Sequence, residues 1–337
     1  MIPTEDSARV DYSRTAHRTP WAAIPAAVRH RIAAELGSPT ESVTPAGGGF
    51  TNGFAAVVGA GNRRLFAKAA PSTDSHIFAA YVREAEVLTA LPAGLPIPQL
   101  HSTDQVLAGG TRWQLLCFEA VDGYMPGQPW TVSDLRAVHA SLLVVQAGLQ
   151  ETPANLANGS MVEEFFGASP RTDLVECWAP NGALPAYLPS LNVQHLSELE
   201  KLTALGHEAL AGDAVLHNDL RADNIMIRPR GGPRPTPVAL FCDWNFLSIG
   251  PAWADWVALL VYPRQAGVDV DSWLADSPLS CGANPDHIDA WLAVLAAYMV
   301  TSGDQPELAT SPYLRMHQRF TARILIDWLS ERRKWEL

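Results

Sequence analysis

The sequence contains no apolar run that could cross a bilayer. Its longest notable one, Ala290 to Val300, falls far short of the ~20 residues a spanning helix needs. No apolar segment of the secretory type follows Met1 either: Glu5, Asp6 and Asp11 interrupt the first residues, so a cytoplasmic location is expected. Cysteine is scarce. Cys117, Cys177, Cys242 and Cys281 form no C-x-x-C pair and no Cys/His cluster, which argues against a structural zinc site or a disulfide scaffold and fits thiols kept in a reducing compartment. Basic residues are in deficit, 24 Lys and Arg against 35 Asp and Glu, whereas a nucleic-acid binder usually shows a basic face. Repeats and low-complexity tracts are absent, as are G-x-x-x-x-G-K-[ST], H-E-x-x-H and G-x-S-x-G, which removes P-loop, zincin and serine-hydrolase chemistries at the motif level.

What is present is an ordinary globular composition. The 337 residues are 47% hydrophobic and 18% charged, enough for two domains or one domain with two lobes. The net charge of −11 is unevenly placed. Residues 1–120 carry 10 basic and 10 acidic residues, so the whole excess lies after residue 120. An acidic second half would attract cations.

Residues 1–20 read as a polar tail. Helical spacing is expected over Trp21–Leu36, stopped by Gly37 and Pro39, and again over His76–Leu91, ended by Pro92. Between them lie a glycine-rich turn, Gly47 to Gly53, a strand from Phe54, and a short strand from Arg64 to Ala69 that carries Lys68. Trp113–Phe118 is a near-continuous apolar run, hence a buried strand, leading into Glu119-Ala120-Val121-Asp122-Gly123. After Gly123 the pattern turns helical, with helices expected to about Leu149 from a Thr131 or Ser133 cap and over about Val193–Leu210. Three short strands interrupt it: Ala214–His217, Ile225–Arg228 and Val238–Cys242, the last two separated by Gly231-Gly232-Pro233 as in a hairpin. From Ala252 onward the chain reads as helical and rich in tryptophan. This order predicts an α+β protein with two lobes.

The sharpest motif is His217-Asn218-Asp219-Leu220-Arg221-Ala222-Asp223-Asn224, set between two expected strands. Asp243 follows at the end of the next apolar strand. Phosphoryl transfer needs this set: one carboxylate facing the attacking hydroxyl, and a carboxamide and a second carboxylate as oxygen ligands for Mg²⁺. Upstream, a glycine turn, a strand lysine and a helix acid occur in the order a kinase requires. Lys68 is one of three lysines in the chain and sits between Ala67 and Ala69, where an unpaired ammonium would be costly to bury. Glu84 and Glu86 both qualify as its partner.

With these motifs, and with Asp243-Trp244-Asn245 followed by Gly250-Pro251-Ala252-Trp253-Ala254-Asp255-Trp256, the chain resembles the aminoglycoside phosphotransferase and choline kinase-like family, relatives of the protein kinases. The resemblance covers nearly everything after the tail. It implies a bilobal protein-kinase-like fold, with a β-rich N-lobe over residues 21–122, a hinge at about 119–123 and a helical C-lobe over 123–337. It makes Asp219 the catalytic aspartate and Asn224 with Asp243 the Mg²⁺ ligands. Lys68, paired with Glu84 in preference to Glu86, would contact the α- and β-phosphates of ATP. Gly48, Gly49, Phe50, Thr51 and Asn52 would cradle phosphates, the backbone of Glu119 to Val121 would bind adenine, and Asp255 would brace the catalytic loop. Family members often carry Gly at the position of Asn218 and Glu at that of Asn245. The glycine turn also lacks the G-x-G-x-x-G of protein kinases, so GTP remains open as a donor beside ATP.

The reaction expected is transfer of a γ-phosphoryl group to a hydroxyl of a small cationic acceptor, of aminoglycoside or of choline-like type. Trp130, Trp178 and Trp253 could stack on a cation, although core packing is the plainer expectation for them. A protein kinase is disfavoured, because Asp255 follows Asp243 by only twelve positions and no Ala-Pro-Glu intervenes. A non-catalytic nucleotide-binding module is the third reading. Neither nucleic acid nor membrane is expected as a partner.

Overall fold

The structure is a computed structural model that describes residues 10–15, 17–150, 152, 154–167, 178, 184–229 and 237–336. A five-stranded antiparallel sheet organises the first part: β1 (Ser42–Pro45), β2 (Phe54–Ala60), β3 (Arg63–Pro71), β4 (Leu100–Ala108) and β5 (Thr111–Glu119), in spatial order β1-β2-β3-β5-β4. Strand residues alternate between faces, and here each face meets a helix. Leu65, Ala67 and Ala69 of β3, with Trp113, Leu115 and Cys117 of β5, join Val28, Ile32 and Leu36 of α1 (Ala26–Leu36) in one core. Ala70, Leu116 and Phe118 point the other way, onto Ile77, Tyr81 and Ala85 of α2 (Ser75–Ala90). The even-numbered positions of β3 therefore face α2, and Lys68 is one of them. The strands predicted around Arg64–Ala69 and Trp113–Phe118 are present and longer than their apolar centres.

Sequence periodicity did not find β4. It is an edge strand, bonded only to β5, whose inward positions alternate with exposed ones and include Ser102 and Asp104. These two dock on α1 through polar contacts, Ser102 to Glu35 at 2.9 Å and Arg31 to Asp104 at 2.8 Å. Edge strands use such polar residues to avoid pairing with other chains, and an apolar pattern is what they lose.

The second part is mainly helical. It comprises α3 (Val132–Leu149), α4 (Met161–Phe166), α5 (Val193–Ala209), α6 (Ala254–Gln265), α7 (Val270–Asp276), α8 (Pro285–Gly303) and α9 (Leu314–Arg333). Thr131, not Ser133, caps α3, its hydroxyl accepting from the Asp134 amide at 3.1 Å. The apolar stretch in α8 is a core helix, buried along Ala290 to Ala297 except at Leu295. No described helix is long and apolar enough to cross a membrane. Trp130 and Trp178 are buried in this core and Trp253 packs against it, so packing accounts for these tryptophans. Cys117, Cys242 and Cys281 are free thiols, and Cys177 lies outside the described residues.

Two small antiparallel pairs sit between the lobes: β6 (Ala214–Leu216) with β9 (Ser248–Gly250), and β7 (Ile225–Arg228) with β8 (Val238–Phe241). The β7–β8 pairing is the expected hairpin, with its Gly231-Gly232-Pro233 turn outside the described residues. The chain leaving β5 docks on β7 by exchanged backbone bonds between Tyr124 and Ile227 at 3.0 and 2.8 Å. Gly123 permits this approach, because a Cβ there would stand 2.4 Å from the Ile227 carbonyl oxygen.

The N-terminal stretch departs from a free polar tail. Residues 1–9 and 16 lie outside the described set, but Val10, Tyr12 and Thr15 are buried. The Tyr12 hydroxyl meets Nδ1 of His317 on α9 at 2.8 Å. A short turn anchored by one aromatic residue has no periodicity to read.

Candidate active site

Three loops converge between the lobes: the glycine turn between β1 and β2, the loop from β6 to β7 that holds the His-x-Asp motif, and the end of β8. Lys68 reaches across from β3. Its Nζ lies 2.9 Å from both carboxylate oxygens of Glu84, and it also contacts Asp243. Glu86, one of the two candidates, is turned outward and pairs with Arg83 at 3.4 Å. Face alternation on β3 and the turn of α2 select Glu84, which linear sequence could not do.

One ammonium thus stands between two carboxylates. Burial works against the Lys68 charge, but Asp243 and Glu84 outweigh it and hold the lysine protonated. Burial also opposes ionisation of Asp243, yet Lys68, with Arg18 and Arg221 adding to it, keeps that carboxyl below its ordinary value. Glu84 is the most secluded of the three. Burial pushes it up to about 7 against the pull of Lys68.

The motif loop is held by a small buried network. His217 donates from Nε2 to the Cys242 carbonyl at 2.8 Å, which leaves Nδ1 to accept from the Asp219 amide at 3.3 Å. Burial lowers its pKa, so the neutral ring links the loop of Asp219 to that of Asp243. Asp255 in the first turn of α6 accepts from the amides of His217 at 2.7 Å and Asn218 at 2.9 Å, the bracing that the resemblance implied. Removing this carboxylate strands two amides, each worth about 1–3 kcal/mol when buried without a partner. Asp255→Ala is therefore expected to unfold at lower urea concentration with an unchanged slope, and a midpoint equal to the parent's would disprove the bracing.

Asn218 adopts φ 63°, in the left-handed region. Asn is suited to this position, since with Gly it enters that region at little cost. Its side chain reaches Glu164 at 2.8 Å. Asp243 has the same φ of 63°, which turns its side chain back toward Lys68. The backbone carbonyl of Asn245 accepts from Asn158 at 2.8 Å.

Asp219 lies at the centre. Asn224 donates through Nδ2 to its carbonyl at 2.8 Å and its Oδ2 at 3.0 Å, while Arg221 contacts Oδ1. Burial pushes the Asp219 pKa up to about 6; Arg221 pulls it down, and Asp223 and Asp243 add to the rise. Arg221 also forks onto Asp223 at 3.1 and 3.2 Å. Its guanidinium lies 5.4 Å from the Phe50 ring centroid, and that ring stacks on His317 at 4.9 Å. Phe50 thus joins the glycine turn to both the motif loop and α9. Arg18 and His317 escaped sequence reasoning because each enters through tertiary contact; Arg221 stands inside the motif itself and pairs with Asp219 and Asp223, two residues away on either side.

Among the described residues no group of three or more His, Cys, Asp or Glu is placed to hold a metal. A Mg²⁺ ion does not need such a group, since it keeps several waters and takes one or two protein oxygens plus substrate phosphates. Both of the Asn224 bonds to Asp219 run from Nδ2, to the backbone and to the carboxylate. At the hinge, the Glu119 amide donates to Gln99 at 2.9 Å and its carboxylate accepts from Arg228 at 2.7 Å.

Comparison with known proteins places this geometry. The family model described as phosphotransferase enzyme family matches residues 42–274. No curated protein matches the sequence. Among solved structures, spectinomycin phosphotransferase in complex with ADP and spectinomycin aligns at 11% identity and a TM-score of 0.57, covering 90% of this chain and 98% of that one. The GDP complex of wild-type aminoglycoside 2'-phosphotransferase-IIIa aligns at 17% identity and a TM-score of 0.52, covering 90% and 96%. These likenesses establish the protein-kinase-like α+β fold, and the extent of the family match decides the rest: the chain belongs to the phosphotransferase enzyme family and is an ATP-dependent phosphotransferase.

Proposed function

We propose that this small-molecule kinase transfers the γ-phosphoryl group of ATP to a hydroxyl of a cationic acceptor, with an aminoglycoside-type compound the leading candidate. The observation that carries the reading is the convergence of Asp219, Asn224, Asp243 and the Lys68–Glu84 pair on one cleft. In this reading Asp219 accepts the proton of the attacking hydroxyl, while Arg221 and Asn224 hold its carboxylate in place. Lys68, steadied by Glu84, contacts the α- and β-phosphates. Residues Gly48 to Asn52 cover the phosphates, and the backbone of Glu119 and Val121 binds adenine. Asn224 and Asp243 would hold Mg²⁺, which when bound neutralises charge developing on the phosphates. A cytoplasmic location fits the nucleotide requirement. The lobe boundary is set at the 119–123 connection, where β5 gives way to the β7 contact.

The acceptor class rests on charge. The entire net negative charge lies after residue 120, in the part that would receive the acceptor, and the two neighbouring enzymes bind spectinomycin or are aminoglycoside phosphotransferases by their descriptions. A negative field there would steer a cation inward and be screened over ~8 Å at physiological salt. The test is Mg²⁺-dependent turnover with neutral, anionic and cationic hydroxyl compounds, choline-like ones included, using ATP and then GTP at two salt concentrations. Cationic acceptors are expected to be preferred, with an acceptor KM that rises with salt more steeply than that of ATP. Efficient, salt-insensitive phosphorylation of a neutral sugar would remove the charge argument. ATP binding without turnover on any alcohol would point instead to a non-catalytic module.

The raised pKa of Asp219 sets a pH expectation. Below about pH 6 the carboxyl takes up a proton and can no longer accept one from the hydroxyl. The kcat is therefore expected to fall toward acid with an apparent pKa near 6, and a flat profile from pH 5 to 7 would count against Asp219 as the base.

A further inference from the structure

The segment before α1 donates to four carbonyls of the glycine turn and to that of Ala46 just before it. Arg18 donates from Nη1 to the Thr51 carbonyl at 2.9 Å and to its hydroxyl at 2.8 Å, from Nη2 to the Gly48 carbonyl at 2.5 Å, and from Nε to the Ala46 carbonyl at 3.4 Å. The Thr15 hydroxyl donates to the Gly49 carbonyl at 2.8 Å. The Thr19 amide and hydroxyl both donate to the Asn52 carbonyl, at 3.0 and 2.8 Å. The glycines are shaped for this strap. A Cβ on Gly47 would stand 1.8 Å from the Ser13 carbonyl oxygen, and one on Gly48 would stand 3.0 Å from that of Tyr12.

We propose that Arg18 is a positioning residue for the donor phosphates, holding the glycine turn in its phosphate-binding form from a segment that precedes the family match. This deepens the ATP reading above and rests on it. In a planar trans peptide the carbonyl and the next amide point in opposite directions. Pinning the carbonyls of Ala46, Gly48, Gly49, Thr51 and Asn52 to the strap therefore turns the amides of Gly47, Gly49, Phe50, Asn52 and Gly53 the other way. An anion binds such a turn when it meets amides and not carbonyl oxygens. Arg18 suits the task because its planar fork serves several carbonyls at once, which a lysine does not. The strap lies before residue 42, where the family match begins.

The experiment is calorimetric titration of parent, Arg18→Ala and Arg18→Lys with adenosine, ADP and Mg-ATP, alongside steady-state kinetics. Arg18→Ala is expected to weaken ADP and ATP by about 10–100-fold and adenosine by less than about twofold, because only phosphates meet the turn. The KM for ATP should rise while that for the acceptor holds, and millimolar guanidinium should restore part of the loss. Arg18→Lys should fall between the parent and Arg18→Ala. If Arg18→Ala is too unstable to titrate, Arg18→Lys reads the same split between adenosine and ATP. Equal weakening of adenosine and ATP would show a role confined to folding and overturn the proposal. Unchanged or tighter ATP binding would overturn it too, the tighter result marking a strap that blocks the cleft. A parent that binds no ATP would overturn the donor reading itself, and this inference with it.

Discussion

Asp219→Ala is expected to lower kcat by about 10²–10⁴-fold, the usual contribution of a positioned general base, while Mg-ATP affinity stays within a few-fold of the parent. The loss should fall on chemistry because the loop around Asp219 is held by groups other than its own carboxylate. His217 anchors to Cys242, Asp255 holds two amides, and Arg221 keeps its fork on Asp223. Asn224 retains its bond to the Asp219 carbonyl. Asp219→Asn is the stricter version, since it preserves volume and removes only basicity. Single-turnover rates with saturating Mg-ATP measure the step directly, and wild-type-like turnover in a folded variant would take Asp219 out of the mechanism.

Lys68→Ala should be nearly as severe and differently distributed. Removing one preorganised charge from a transition-state site typically costs ~10²–10³-fold, and here it should appear mainly in kcat/KM for ATP. The acceptor KM should hardly move. The variant removes the cation shared by Glu84 and Asp243, which would ordinarily endanger the fold, because a buried carboxylate without a partner is strongly destabilising. Glu84 offers a way out. Burial already places its pKa at about 7, so loss of the ammonium lets it take up a proton near neutrality. Lys68→Ala should therefore fold, and its stability should increase as pH is lowered from 8 toward 6 relative to the parent. Parallel rises in both Michaelis constants would mean that Lys68 serves the fold and not the donor. Asp243→Asn gives a third pattern: nucleotide affinity that no longer depends on Mg²⁺ concentration.

Much of this site could be read from the linear sequence because the groups that do chemistry lie on short local segments. The motif from His217 to Asn224, Asp243 at a strand end and Lys68 in an apolar strand each declare themselves within a few residues. The choice between Glu84 and Glu86 did not, because it depends on which face of β3 meets which face of α2. Secondary structure followed the same division. The expected helices and the apolar strands are present, except that the first helix starts only at Ala26, after a separate turn at Trp21–Ala23 and the non-helical Pro25. By contrast, β4 hides its pairing behind Ser102 and Asp104, and β9 spans only Ser248–Gly250 opposite β6. The glycine turn taught a different lesson. Its composition suggested close approach of phosphates, yet Gly47 and Gly48 are already required by the carbonyls of Ser13 and Tyr12. Contacts made by residues far away in sequence leave no local pattern to read.

The bond from Tyr12 to His317 joins residues 305 positions apart, and this has a bearing on how the protein is made. Closing a chain of that length costs about 5 kcal/mol in the length-dependent part of loop entropy alone, against about 1 kcal/mol gained by one neutral hydrogen bond. The contact therefore cannot form early. It must wait until the two lobes have already brought α9 beneath the glycine turn. A nascent chain emerging from the ribosome, N-terminal part first, would have its sheet, its Lys68–Glu84 pair and its motif loop before His317 arrives. Until then Phe50 lacks the His317 ring it stacks on, keeping the Tyr12 ring and the Arg221 guanidinium as neighbours, and Tyr12 lacks its acceptor, so the roof over the cleft is the last part of the site to be assembled.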